Sequence, residues 1–367
     1  MNESRGCTKG REKQRLARTH CRIKGTAMMD CGLRPREMQT PERPQSSLER
    51  AASGQLIAVS HEAISSDLRR ASGWFAIPLL AASLVRVVME PHYLGVCFVA
   101  WIVCLALYVV GLRWLLLEPD TGRIRAALIA NFSIINLCYA LIGCMMNASP
   151  GWRADRILNA IDQTLFRRDP AALFQNLNSP WISTLAVLGY SSFLVFFLYL
   201  FLAEAFVLSR WTGRLQMGLL RLYALGYSGY LLFPASGPLF GHQGALAPIV
   251  YSDVPASLNN WLVSCCLGVD AWPSLHAGVC VFTLIWTWYR YPRVALSFSA
   301  PAAGLMFGAV YLHYHYFFDM ISGAILGAAC AYSVLGLRSE PVNESADWNL
   351  SYDNPMDLKP GARASVK

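Results

Sequence analysis

Long apolar runs dominate the middle of this chain and alternate with short polar connectors. A membrane-spanning helix needs about 20 predominantly apolar residues. Eight segments approach that length and are predicted to span a membrane: 74–89, 94–112, 126–146, 182–208, 217–234, 276–290, 294–312 and 317–337. The first is the weakest, because it is short and contains Arg86. The pattern predicts an all-α fold, a polytopic membrane helical bundle with about eight transmembrane helices.

The overall composition agrees with that prediction. Of 367 residues, 54% are hydrophobic and only 15% are charged. Soluble domains carry about a quarter charged residues. The composition therefore excludes a soluble protein with a single core, and it excludes a disordered one.

Most of the positive charge belongs to one end of the chain. Residues 1–70 contain fourteen of the 31 Lys and Arg and eight of the 23 Asp and Glu, which is +6 of the net +8. They are polar and lack sustained periodicity, so a disordered basic tail is predicted there, with a second disordered tail at 338–367. Such a tail favours anionic lipid headgroups, and no nucleic-acid partner is predicted.

The arginines also predict how the bundle is oriented, because short cytoplasmic loops are enriched in Lys and Arg. The connectors 113–125 and 209–216 contain arginines, whereas 235–275 and 313–316 contain neither Lys nor Arg. The last two loops are therefore predicted to lie outside the cytoplasm, with both tails inside it. The loop 147–181, with four arginines, is an exception. A bacterial inner membrane with a periplasmic site is expected, and a eukaryotic secretory membrane with a lumenal site is the alternative.

Eleven cysteines do not form a recognisable metal or redox pattern. There is no C-x-x-C pair and no Cys/His ligand spacing, so neither a metal nor a cofactor is predicted. Those in apolar runs are interpreted as small hydrophobic residues: Cys97, Cys104, Cys138, Cys144, Cys280 and Cys330.

The two arginine-free loops contain the residues best suited to chemistry. His276 and His315 are separated by a helical hairpin, which returns the chain to the face that it left. His315 and Asp319 are four residues apart, so on a helix they would share a face, and the carboxylate would fix the imidazole tautomer. Ser274 precedes a helix N-terminus, which is a natural anion site. The set predicts phosphoryl transfer on a lipid.

These residues also resemble a known family. Pro273-Ser274-Leu275-His276 and His315-x-x-x-Asp319 resemble the second and third signature blocks of the type 2 phosphatidic acid phosphatase superfamily. The resemblance implies a six-helix catalytic domain over 126–337, preceded by two additional helices in 71–125. It implies that His315 is the nucleophile, Asp319 its orienting acid and His276 the general acid and base. Ser274 would bind phosphate, with Pro273 beside it in the substrate-binding segment.

Departures from the family blocks indicate a branch. Leu275 replaces the usual Gly, Ala309 stands where an Arg is usual, and the Lys/Arg block is absent before Pro234. The Phe-Pro segment there resembles the inositol phosphorylceramide synthase branch. That branch implies transfer of a phospho-headgroup from a phospholipid donor to a lipid hydroxyl.

Two alternatives to that transfer reaction remain open. One is a lipid phosphate phosphatase, in which water is the acceptor and phosphatidic acid or a polyprenyl (pyro)phosphate the substrate. The other is a non-catalytic lipid-binding protein. Arg167 and Arg168 follow an apolar stripe over 157–165 that predicts an interfacial helix. They are the candidate cations for the substrate phosphate, and an ordinary contact with lipid headgroups is the alternative.

Overall fold

The computed structural model describes residues 47–147, 151–167, 170–203, 208–209, 211–241 and 249–336. The chain divides after Arg50 into two units, and of the first only the helical residues 47–50 are described. All the other described residues belong to the second unit. Within those ranges the regular structure is helical, and the only extended pairing is an isolated bridge between Ala235 and Asp270.

The regular structure of the described residues is helical, and six of its helical stretches are apolar and long enough to cross a membrane, so a helical membrane bundle is confirmed. In chain order they are α1 (Ser47–Met89), α2 (Val96–Leu115), α3 (Thr121–Asn147), α4 (Asp155–Phe166), α5 (Pro180–Ser191), α6 (Phe193–Leu198), α7 (Thr212–Leu232), α8 (Asp253–Cys265), α9 (Leu275–Arg290), α10 (Pro292–Tyr311) and α11 (Phe317–Leu335). A π-helical turn, Tyr199–Ala203, continues α6, and single helical turns occur at Pro170–Leu173 and Pro238–Gly241.

Six stretches of the described chain are long and apolar enough to cross a membrane: His61–Met89, Val96–Leu115, Thr121–Asn147, Pro180–Phe201, Pro292–Tyr311 and Phe317–Leu335. The remaining two predicted spans correspond to α7 and α9. Helix α9 has 16 residues, and most of the side chains of α7 are buried inside the bundle. A helix that its neighbours shield from lipid can carry polar residues such as Gln216, which lowers its hydropathy.

The predicted disorder of residues 1–70 is wrong for 47–70, because helix α1 already begins at Ser47. Ile64, Leu68 and Phe75 are buried at helical spacing on one face of α1. On the same helix, Arg69 donates a hydrogen bond of 2.7 Å to the carbonyl of Leu116. The polar side chain of Arg69, which in the sequence suggests a tail, thus pairs with a backbone carbonyl at the C-terminal end of α2. Residues 1–46 and the predicted tail 338–367 lie outside the described residues.

Helices α9 and α11 pack very closely, and this contact sets the geometry of the site. A Cβ atom at Gly323 would collide with the carbonyl oxygen of Ser274, and one at Gly327 would collide with that of Gly278. The backbone N–H of Ser274 also donates to the carbonyl of Asp319 at 3.1 Å. The N-termini of both helices are therefore held side by side.

A disulfide joins Cys97, in the first turn of α2, to Cys144, in the last turn of α3. The interpretation of these two residues as small hydrophobic side chains is wrong, because the hairpin brings the two helix ends together. Cys138, Cys280 and Cys330 are buried free thiols, as expected. Asn147, also in the last turn of α3, donates to the carbonyl of Leu267 in the connection that leads to α9, so the disulfide lies at the end of the bundle where α9 begins.

Candidate active site

His315 lies in the connection between α10 and α11, ahead of the first residue of α11. Its Nδ1 is 3.0 Å from the carbonyl oxygen of Ala271. A carbonyl only accepts hydrogen bonds, so Nδ1 carries the proton and Nε2 keeps its lone pair. Nε2 faces Ser274 Oγ at 3.3 Å and His276 Nδ1 at 3.2 Å. The structure therefore points an unprotonated imidazole nitrogen at a hydroxyl and a second imidazole.

Burial lowers the pKa of His315 to about 4, against the opposing effects of the negative charge of Asp270 and the hydrogen bond to Ala271. Only 3% of the residue is exposed. Removing an imidazolium from water is costly, so the neutral form is favoured. His315 is consequently neutral at pH 7, which is the state that a nitrogen nucleophile requires.

Ser274 and His276 are positioned by the start of α9. Ser274 is the N-cap, and its Oγ accepts a hydrogen bond from the N–H of Ala277 at 3.3 Å. His276 is half-buried, and its Nε2 is 3.2 Å from the hydroxyl of Tyr190 on α5. The two histidines, 39 residues apart in sequence, are thus adjacent in the structure.

Asp319 does not hold the ring of His315 by a hydrogen bond, contrary to the expectation from their spacing. Its Oδ2 is 3.7 Å from His315 Nδ1, beyond hydrogen-bond range, and accepts instead from the N–H of Tyr316 at 3.0 Å. Residues four apart share a face only on one continuous helix, and α11 begins only at Phe317, after His315. The carbonyl of Ala271 orients the ring instead, because it accepts the hydrogen bond from His315 Nδ1. Asp319 Oδ1 is buried without a hydrogen-bond partner among the described residues.

Three further predicted site residues are placed differently or lie outside the described residues. Pro273 packs against α7, where a Cβ at Gly229 would collide with its ring. Arg167 is exposed at the C-terminal end of α4. Within the described residues it makes no hydrogen bond or ion pair and does not meet the two histidines. Arg168 is not among the described residues. The structure therefore does not bring Arg167 to the histidine pair, and it places the ring of Pro273 against α7.

Two carboxylates of α4, which the sequence analysis missed, brace the site from outside. Asp162 accepts hydrogen bonds from the N–H groups of Phe317 and Phe318 at 2.7 and 2.9 Å. Asp155 accepts from the N–H groups of Ser236 and Gly237. Their spacing in the sequence could have indicated this, because Asp155 and Asp162 are seven residues apart and so share a face of α4.

Arg153, just before α4, is the arginine that reaches the loops around the site. Its guanidinium donates to Ser236 Oγ at 3.1 Å and to the carbonyl oxygen of Gly268. Arg153 therefore ties two loops together. No arginine or lysine among the described residues contacts Ser274, His276 or His315.

A cavity of about 190 Å³ lies on the His276 side of the histidine pair. Tyrosines line much of it, and Asp270 supplies a carboxylate. Within the described ranges no group of three His, Cys, Asp or Glu side chains could hold a metal ion. The arrangement can place a nucleophilic imidazole, an acid–base imidazole and a helix N-terminus around one phosphorus atom.

A family model described as the PAP2 superfamily matches residues 156–333 of this chain. The predicted family resemblance is confirmed. The matched region begins in α4 and ends in α11, so it includes both histidines and the α4 carboxylate Asp162.

Two curated relatives are both named as inositol phosphorylceramide synthases. Inositol phosphorylceramide synthase of Candida albicans is 26% identical over 193 residues, which are 47% of this chain and 40% of the relative. The inositol phosphorylceramide synthase catalytic subunit aur1 of Schizosaccharomyces pombe is 25% identical over 195 residues, 48% of this chain and 45% of the relative. The chain spans less than half the length of the curated relatives that it matches. No solved structure matches it significantly.

Proposed function

We propose that this membrane protein is a lipid phosphotransferase that moves a phospho-headgroup from a phospholipid to a lipid hydroxyl through a phosphohistidine at His315. The observation that carries the proposal is the orientation of that ring. Nδ1 is committed to the carbonyl of Ala271, so the lone pair of Nε2 is directed at Ser274 and His276.

In the first step His315 Nε2 attacks phosphorus, and the bond from phosphorus to the oxygen of the departing lipid breaks. The negative charge of the bound phosphate favours the protonated form of His276. His276 gives its proton to that oxygen, so that the lipid leaves as a neutral alcohol. In the second step His276 takes the proton of the acceptor hydroxyl. The acceptor oxygen then attacks phosphorus, and the P–N bond electrons return to His315. The Ser274 hydroxyl and the N-terminus of α9 stabilise the phosphate oxygens.

The scarcity of cations favours a phosphodiester donor over a phosphomonoester. A diester carries one negative charge, whereas a monoester at pH 7 carries nearly two, and charge on the transferred group is normally balanced by cations. Residues 235–275 and 313–316 contain no Lys or Arg, and Arg153 is used between loops. A headgroup transferase therefore fits better than a phosphatidic acid phosphatase. The names of the curated relatives suggest inositol phosphate as the group and ceramide as the acceptor.

The same observations support a site outside the cytoplasm, facing the periplasm or a lumen, with the tails on the cytoplasmic side. The arginine-free loops lie at this end of the bundle. The disulfide between Cys97 and Cys144 lies there too, and disulfides persist in oxidising compartments.

The test is a lipid assay with the full chain in detergent micelles. Phosphatidylinositol is given together with ceramide, or with a diacylglycerol whose acyl chains differ from those of the donor so that the product can be distinguished. These mixtures, and separately phosphatidic acid, are given to wild type, His315→Ala and His92→Ala. The last variant is the matched control, because His92 is an exposed histidine at the same end of the bundle. We expect a new phospholipid from wild type and His92→Ala and none from His315→Ala. An acid-labile phosphoryl label on wild type should also be lost in His315→Ala.

Release of inorganic phosphate from phosphatidic acid that depends on His315 would identify a phosphatase and overturn the transferase proposal. Equal behaviour of wild type and His315→Ala with every donor would favour the non-catalytic lipid-binding alternative.

A further inference from the structure

The cavity beside His276 is aromatic and largely neutral. Five tyrosines from α3, α5 and α7 line it: Tyr139, Tyr190, Tyr223, Tyr227 and Tyr230. His276 lines the cavity, whereas His315 does not. The cavity therefore lies on the side of the acid–base group, where the alcohol that leaves or enters must be located.

One carboxylate stands in this aromatic wall. Asp270 Oδ2 accepts a short hydrogen bond of 2.5 Å from the hydroxyl of Tyr139, and Oδ1 is 3.3 Å from the N–H of Val269. Asp270 forms no ion pair within the described part of the chain. An ionised carboxylate has about four acceptor positions, so further hydrogen-bond donors can be accommodated. A carboxylate repels phosphate, so this end of the cavity suits a neutral donor such as a hydroxyl.

The cavity reaches the side of the bundle between α3 and α8. Asn136 on α3 and Trp261 and Cys265 on α8 are among its lining residues, and all three are exposed. Because α3 is one of the helices able to cross a membrane, an opening beside it faces lipid. A lipid with its hydroxyl at headgroup level can enter there without leaving the bilayer.

We infer that this cavity binds the hydroxyl end of a neutral lipid, and that Asp270, supported by Tyr139, accepts a hydrogen bond from that hydroxyl beside His276. The inference rests on the proposed function and deepens it. It assigns the phosphate to the side of His315 and the alcohol to the side of Asp270. The shared chemistry is a free primary hydroxyl next to acyl chains, which both diacylglycerol and ceramide possess.

Binding can be measured without turnover through the thiol of Cys265. In His315→Ala, the rate at which a maleimide modifies Cys265 is followed by peptide mass spectrometry. Cys104 on α2, a free thiol that does not line the cavity, is the internal control for any general effect of the lipid on labelling. The probes are dioctanoylglycerol, its acetyl ester without the hydroxyl, a short-chain ceramide and glycerol phosphate.

We expect dioctanoylglycerol or the ceramide to slow modification of Cys265 at least fivefold, and the acetyl ester and glycerol phosphate to have little effect. Whichever of dioctanoylglycerol and the ceramide protects Cys265 more strongly identifies the class of lipid that supplies the hydroxyl. Asp270→Asn removes the charge, and hydrogen bonds to charged groups are about 1.4 kcal/mol stronger than neutral ones. Half-protection should therefore need about tenfold more lipid. An unchanged rate without lipid shows that this variant retains its fold.

Equal protection by the alcohol and its acetyl ester, or unchanged protection in Asp270→Asn, would overturn the inference. So would protection by glycerol phosphate alone. The protection measurement uses a variant without the nucleophile, so its result does not depend on whether the transfer assay succeeds. In active protein, Asp270→Asn should raise the KM for the lipid alcohol about tenfold and leave the KM for the phospholipid donor unchanged.

Discussion

Asp162 is the residue through which the surface helix α4 most directly holds the active-site region. Its side chain is buried, and its two carboxylate oxygens accept the N–H groups of Phe317 and Phe318. These N–H groups begin α11 and have no partner within their own helix. His315 is two residues earlier in the chain. Replacing Asp162 should therefore destabilise the start of α11 and misplace His315.

The magnitude follows from the contacts. A hydrogen bond to a charged group contributes about 1.5–3 kcal/mol, and a negative charge at a helix N-terminus adds about 0.3–1 kcal/mol. Asp162→Ala removes two such bonds at a buried position, so we expect the free energy of unfolding to fall by about 3–5 kcal/mol. Asp162→Asn keeps one acceptor oxygen but turns an N–H group towards another donor. Its cost should be about half as large.

The assay is denaturant unfolding of the purified chain in micelles, together with the transfer reaction. Asp253→Asn is the matched control, because Asp253 is an exposed acidic residue in the first turn of α8 and the charge change is the same. We expect it to change stability by less than about 1 kcal/mol. If Asp162→Ala were no less stable than Asp253→Asn, the bracing role of α4 would be refuted.

Three further predictions test other parts of the structure. Gly323→Ala should separate α9 from α11, lower the free energy of unfolding by about 1–3 kcal/mol and abolish transfer activity. Gly111→Ala is the control and should be neutral, because a Cβ atom at Gly111 meets nothing within 4 Å. Equal activity of the two variants would contradict the close packing of α9 on α11. Burial lowers the pKa of His315 from 6.5 to about 4, so the folded protein binds fewer protons than the unfolded chain in that range and loses stability as the pH falls. Between pH 7 and 5, the free energy of unfolding of wild type should fall by about 2 kcal/mol more than that of His315→Gln. Parallel curves of unfolding free energy against pH for the two proteins would contradict this. Finally, Cys97 and Cys144 should resist alkylation in unfolded protein until a reductant is added, as followed by mass spectrometry, and ready alkylation without reductant would exclude the disulfide.

The positions of the helices could be predicted well, because apolar runs of membrane length have few other solutions. The largest error is at α1, where Ser65 and Arg69 interrupt the apolar pattern and suggest a tail. Both side chains donate to the carbonyl of Leu116, a contact between residues about fifty positions apart. A local pattern contains no information about such a partner.

The candidate site could be predicted as a set of residues but not as a hydrogen-bond network. The hairpin from His276 to His315 fixes that both lie at one face, and this follows from helix lengths alone. Which group holds Nδ1 of His315 depends on where α11 begins, and a sequence pattern leaves helix boundaries uncertain by at least one or two residues. A shift of that size moves Asp319 out of hydrogen-bond range and brings the carbonyl of Ala271 into it.

Helix α4 links these observations to the membrane. Asp155 and Asp162 share one face of α4 and accept N–H groups around the site, while the side chains of Ile157 and Leu165 are exposed. A helix of this kind lies in the plane of the headgroups, with its apolar residues in the acyl boundary. We expect α4 to lie in this way, so that the helix that braces the start of α11, two residues after His315, also contacts the lipid surface. In the proposed reaction few cations are available, so catalysis would depend on accurate placement of neutral groups, and we expect the α4 brace to supply that placement at the depth of the lipid headgroups.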